Sequence, residues 1–141
     1  MATLGNNRKA YITIGSSGTP TTWLSGEQTN SFNRTAEAIE VSDKSTDWAK
    51  FIAGKKGATA EITVYTDDTS AGPQYNAIKA LHQGSEVRVF IGVLSGSSAS
   101  QGDVFTAIVT AISDTNDNGS VATRNISLTA TGAVSHYPAL S

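Results

Sequence analysis

Apolar and polar residues alternate along most of this chain. Lys9-Ala-Tyr-Ile-Thr-Ile14 alternates and stops at Gly15-Ser-Ser-Gly-Thr-Pro20, a cluster of turn formers. Successive strand side chains point to opposite faces, so this spacing predicts a first strand. Thr22 to Leu24 reads as a short extended piece before Ser25-Gly26. Glu27 to Val41 reads as strand, with Phe32, Ile39 and Val41 as its apolar marks. Its centre, Arg34 to Ile39, imitates a helix but has no cap and holds one large apolar residue. Gly57 to Thr66 places Ala58, Ala60, Ile62 and Val64 on one face and Thr59, Glu61, Thr63 and Tyr65 on the other.

The period changes once. Asp67 to Pro73 ends the preceding strand, and Pro73 suits the first turn of a helix. Tyr75, Ile78, Leu81 and His82 then recur at three- and four-residue spacing, and Gly84 supplies a C-cap. A single helix over about 73–83 is expected. Strands resume at Glu86 to Val93, with Val87, Val89, Ile91 and Val93 on one face. Leu94 to Gln101 reads as a Ser/Gly loop. Gly102 to Ser113 reads as the longest strand, with Val104, Ile108 and Ile112 on one face and Phe105, Ala107, Val109 and Ala111 on the other. Asn118-Gly119 is a strong hairpin signal. Val121 to Ala130 returns, with Thr123, Asn125, Ser127 and Thr129 as a neutral polar row. The pattern is that of a mainly β single domain over 1–141, with loose arms at 1–8 and 133–141.

One stretch breaks the expectation that connectors are polar. Ile39-Glu-Val-Ser-Asp-Lys-Ser-Thr-Asp-Trp-Ala-Lys-Phe-Ile-Ala-Gly-Lys-Lys56 joins two strands through a connector at about 42–54. That connector carries Trp48, Phe51 and Ile52. Surface connectors are solvated, so these side chains either lid the chain's own core or dock on a neighbour.

Composition narrows the function. The 141 residues suffice for a sizeable core without staples. There is no cysteine, which excludes disulfides and thiolate metal sites. Net charge is −2, which argues against affinity built on neutralising phosphates. Arg8-Lys9 and Lys55-Lys56 are the adjacent basic pairs. The first residues lack the apolar run of a signal peptide, and no segment approaches the roughly 20 apolar residues of a membrane helix. Cytoplasmic synthesis and no membrane partner are therefore expected.

Candidate chemistry is sparse. Asp114-x-Asn116-x-Asn118-Gly119 matches the first half of a calcium loop, but the twelfth place is Asn125 instead of a bidentate Glu. Asp67-Asp68 beside a helix start suits the helix dipole. His82 and His136 are lone histidines. No serine sits in a Gly-x-Ser-x-Gly elbow, and Gly54-Lys55-Lys56-Gly57 lacks phosphate-loop spacing. The expectation is a non-enzyme with no catalytic residues, metal or cofactor.

The order of features then becomes informative. A strand at Lys9 to Ile14 leads to an extended segment ending Ile39-Glu-Val-Ser-Asp-Lys44, then Trp48, Phe51 and Gly54. A long strand to Thr66, a short helix, Gly84-Ser-Glu-Val-Arg88, the Gly102-Asp103 strand and Ile126-Ser-Leu-Thr-Ala-Thr-Gly132 follow. From about Lys9 to Gly132 this resembles the major tail tube proteins of long-tailed, siphovirus-like bacteriophages and gene transfer agents. The resemblance implies a β-sandwich or partly closed barrel flanked by one helix. It implies homohexameric rings that stack into a hollow virion tail tube, assembled in the host cytoplasm, which conducts genomic DNA during ejection without sequence-specific binding. Its other partners would be terminator and distal tail proteins. The connector would then contact the next subunit or ring, through Ile39, Val41, Asp43, Lys44, Trp48, Phe51, Ile52 and Lys55. The Thr123, Asn125, Ser127 and Thr129 row would suit a lumen wall. The inner tube of a type VI or contractile injection system and an unrelated β-sandwich ligand-binding module are the alternatives.

Overall fold

The computed structural model describes residues 7–15, 18–45, 47–68, 70–95 and 98–139. The elements are β1 (Lys9–Ile14), β2 (Glu27–Glu40), β3 (Phe51–Tyr65), α1 (Pro73–Gln83), β4 (Glu86–Ser95), β5 (Ser98–Thr115), β6 (Thr123–Ala130) and β7 (Ser135–Tyr137). The strands form one antiparallel sheet in the order β1-β4-β5-β6-β3-β2, with β7 also on β5. The protein is mainly β with one helix, as the pattern predicts. No helix among the described residues is long and apolar enough to cross a membrane.

β5 shapes the interior. Its first part, from Ser98 to Ile108, pairs with β4, and its last part, from Ala107 to Thr115, pairs with β6. The sheet thereby folds over on itself, in the manner of a sandwich corner. Phe105, Ala107 and Val109 enter the core from β5, beside Ile12, Val87, Val89, Ile62, Val64, Ile126 and Leu128. Phe32 of β2 stacks on Phe105 with ring centroids 4.8 Å apart.

The faces expected for this strand hold as far as Val109 and are exchanged beyond it, at Ala111 and Ile112. Val104 is buried on the other face, with Tyr11 and Phe90. Ile108 is exposed, and Ile112 packs against the main core opposite Ile126. The cause is a bulge between Val109 and Ala111. One extra residue reverses the alternation beyond it.

The helix face also differs from the one its larger residues suggest. Gln74, Ala77 and Ala80 are buried, while Tyr75 and His82 are exposed. Small alanines let α1 lie close against the sheet. Gly84 ends the helix in the left-handed conformation, its N–H donating to the Ala80 carbonyl.

Two expected loops are shorter than the sequence suggests. β4 runs on to Ser95 and β5 begins at Ser98, where Leu94 and Ala99 pack beside Tyr11, Phe90 and Val104. The tail expected to be a loose arm from 133 instead forms β7, with Ser135 to Tyr137 paired to Val104 to Gly102. Three residues are too few to show a period, which is why the sequence hides them. Of the expected arms, residues 1–6 and 140–141 lie outside the described residues.

Gly92 and Gly102 face each other across the β4–β5 ladder. A Cβ on Gly102 would stand 2.1 Å from the Ile91 carbonyl oxygen, and one on Gly92 would stand 1.9 Å from that of Gln101. Only glycine permits this approach. Gly102→Ala is expected to destabilise the fold by about 1–3 kcal/mol through overpacking. At Gly57 an added Cβ would meet only Thr35 Oγ1, at 3.8 Å. Gly57→Ala should stay within about 0.5 kcal/mol of the parent. Urea melts of the two variants check this; equal stability would contradict the steric reading.

Candidate assembly surface

β2 and β3 outrun the core that they help to build. Every residue from Asn33 to Glu40 in β2 is exposed, as is every residue from Phe51 to Gly57 in β3 except half-buried Gly54. This far half of the hairpin is a two-stranded arm. Its ladder pairs Ala36 with Lys56, Ala38 with Ala53, Ile39 with Ile52 and Glu40 with Phe51. Val41 N–H then donates to the Lys50 carbonyl at 2.8 Å.

The tip is held by local hydrogen bonds. Lys50 N–H donates to Ser42 Oγ at 2.6 Å. Asp43 Oδ1 accepts from Ser45 Oγ at 2.6 Å and from Ser45 N–H at 2.9 Å. These bonds, the side-chain one first, hold the Asp43 carboxyl below the ordinary aspartate value.

The connector outside the strands is shorter than the expected 42–54. It spans 41–50, because Phe51 and Ile52 already belong to β3. Gly54 is a point of close approach within the strand: a Cβ there would stand 2.9 Å from Ile39 Cδ1. Trp48 is 86% exposed, Phe51 57% and Ile52 54%. A side chain that open covers no core, so the lid reading of Trp48 is overturned. Ile39 and Val41 are also exposed, as are the charged Asp43, Lys44 and Lys55. An isolated hairpin is marginal in water. This arm has large apolar side chains and no core of its own.

The neutral row lies elsewhere on the same strands. Thr123, Asn125, Ser127 and Thr129 of β6 stand opposite Tyr65, Thr63, Glu61 and Thr59 of β3. Asn33 and Ser31 of β2 continue the row opposite Thr59 and Glu61. The alternate residues Arg124, Ile126 and Leu128 are buried, so the row occupies the face turned away from the core. Thr110 Oγ1 donates to the Ser127 carbonyl at 3.2 Å. Glu61 is the one charge among these positions.

Some polar residues that matter escaped the sequence reading. Arg124 is buried in phase with Ile126 and Leu128, a position that alternation alone marks as core-facing. Its Nε donates to Asp114 Oδ1 at 2.7 Å, its Nη1 to Gln74 Oε1 at 2.9 Å and its Nη2 to Asp68 Oδ1 at 3.1 Å. Hydrogen bonding to Asp114 raises the guanidinium above its ordinary value; burial opposes this and Asp68 adds to it. Asp114 of the calcium-like motif and Asp68 thus serve one cation, while the Asp67 carboxylate accepts from Ser25 Oγ at 3.0 Å. The two histidines are not brought together. His82 is exposed on α1, while His136 Nδ1 lies 2.9 Å from Asp103 Oδ1, which also accepts from Arg34 Nη1 at 2.8 Å.

The Asp43 geometry fixes a sign. Its folded carboxyl titrates below the unfolded one, so its contribution to the connector is complete above the unfolded range. That contribution is lost as pH falls through the folded value. Ser45→Ala should move the Asp43 midpoint upward, part of the way to ordinary, since the backbone bond survives. Carbon-detected NMR titration of Asp43 measures this, and an unmoved midpoint would contradict the assignment.

No family model and no curated protein matches the chain. Solved structures do. A chain in the tail of an empty gene transfer agent particle, refined with C6 symmetry, is similar at TM-score 0.81 and 16% identity, covering 96% of this chain and 98% of that one. The SPP1 tail tube is similar at TM-score 0.64 and 17% identity, covering 92% and 76%. A chain of the anti-feeding prophage baseplate is similar at TM-score 0.65 and 12% identity, covering 94% and 93%. Likeness at such low identity is likeness of backbone, and it extends from β1 to the closing strands. The chain therefore has the fold found in tail tubes.

Proposed function

We propose that this protein is a non-enzymatic structural subunit whose copies form hexameric rings, and that the rings stack into a hollow virion tail tube. The observation that carries the reading is the arm. A two-stranded hairpin with Trp48 86% exposed is a poor surface for a monomer and a good one for a subunit. The tail tube fold supplies the kind of assembly.

The neutral face of β2, β3 and β6 lines the lumen in this reading. Threonine, serine and asparagine hydrate a wall without fixing phosphates, so DNA passes without being gripped. Other tail proteins close the tube at its ends, including terminator and distal components, and assembly takes place in the host cytoplasm. The inner tube of a contractile injection system is the second reading. The higher TM-score to the gene transfer agent tail than to the anti-feeding prophage chain favours the first.

Negative-stain microscopy at rising protein concentration tests the reading: rings or tubes are expected, and a strict monomer at every concentration would refute it. Trp48→Ala should leave the melting curve within about 0.5 kcal/mol of the parent, because the side chain is almost wholly exposed. The same change should abolish tubes, since truncating an aromatic anchor costs roughly 2 kcal/mol or more at each repeated contact. Tubes that persist in Trp48→Ala would remove the arm from the interface.

A further inference from the structure

The arm has a root as well as a tip, and the root is hollow. A groove of about 500 Å³ opens between the base of the arm and the segment before β7. Arg34, Ala36, Lys56, Ala58, Gly132 and Val134 line it. Apart from Thr35, its uncharged lining residues are small and apolar, and its charged side chains are both cations. That volume falls within the roughly 300–1,000 Å³ typical of binding clefts. Lys56 has no ion-pair partner among the described residues, and the Arg34 side chain stays 55% exposed despite its bond to Asp103.

The tip carries the complementary group. Trp48 is the most exposed large apolar residue described, and Asp47 precedes it. An indole face attracts Arg and Lys, and a carboxylate beside it pairs with the same cations. A molecule cannot fill its own groove with its own tip. Phe51 to Ala58 is extended strand, and at roughly 3.3 Å per residue it holds tip and root about 23 Å apart.

We propose that Trp48 of one copy seats in the root groove of the next copy, against Arg34 and Lys56, with Asp47 meeting those cations. The assignment rests on the ring-forming role argued above and names the receiving surface. Tip and root are different patches, so the contact is heterologous. Each copy gives one tip and receives one, and such a contact closes into a ring or runs on as a helix.

Cysteine pairing tests the contact, because the chain has no cysteine of its own. Ala49→Cys marks the tip and Ala133→Cys marks the groove rim; both positions are exposed. Full-length single variants, verified as folded by their melts, are mixed in equal amounts with diamide as oxidant. A disulfide-linked heterodimer is expected in the mixture. It should vanish when Lys56→Glu is added to the Ala133→Cys chain, and when Val121→Cys replaces Ala133→Cys. Rings or tubes in the microscope without this link would overturn the tip-to-root contact and leave the tube reading standing. Strong self-linking of Ala49→Cys alone would overturn it too, as a tip-to-tip contact. Neither assembly nor link would overturn both.

Discussion

The interior depends on one buried cation. Arg124 sits with its side chain 5% exposed at the end of the molecule where helix, sheet and loops meet. It ties β6 to Asp114 of β5, to Gln74 of α1 and to Asp68. Gln74 then donates to the carbonyls of Tyr65 and Ser25 at 2.8 and 3.1 Å and accepts from Asp67 N–H at 3.0 Å. A single guanidinium thus fixes where the helix starts, where β3 stops and how the chain enters β2. Its carboxylates are 73% and 44% exposed, so solvent screens the attraction. The value of the network lies in position. Were it lost, a charge would remain buried without partners, a penalty that apolar packing does not impose.

The opposite end is closed by a charge of the other sign. Asp103 is buried, and it accepts from Arg34 of β2 and lies against His136 of β7. Between Arg124 and Asp103 the core is apolar, with Phe90, Phe105, Ile62 and Ile126 fully buried. Arg34 marks the border of this region, and the exposed arm extends beyond it. Stability in proteins is not uniform, and segments with few buried contacts open first. The core therefore holds the hairpin at its base and leaves the far half with only its own ladder. Burial of Trp48 and Ile52 against another surface would supply what the core does not.

What the sequence reveals follows from how local each feature is. Strands β1, β3, β4 and β6 and the helix were legible because alternation, Pro73 and Gly84 are local signals. The faces of β5 beyond Val109 were not, because a bulge shifts parity without changing composition. The helix face was misjudged because Ala77 and Ala80 pack more tightly than Tyr75, and size alone ranks them in the wrong order. Phe51 and Ile52 read as connector because Gly54 looks like a break; it is a contact with Ile39 across the ladder. The exposed aromatics of the arm could be singled out from composition. The groove at its root could not, since Arg34, Lys56 and Val134 meet only once β7 folds back.

The bulge in the arm connects these observations. From Ala36 to Ala38 β2 advances two residues while β3, from Lys56 to Ala53, spans three. The extra residue brings Ile52 opposite Ile39 and sends Phe51 to the other side of the ribbon. Below the bulge the exposed face of the hairpin carries Ser31, Asn33 and Thr59; above it the strands expose Ile39, Phe51 and Ile52. A one-residue change of register exchanges the faces of a strand. Placing that change between root and tip lets two continuous strands carry a polar face at one end and an apolar ribbon at the other. The change of surface along the hairpin therefore rests on local strand geometry.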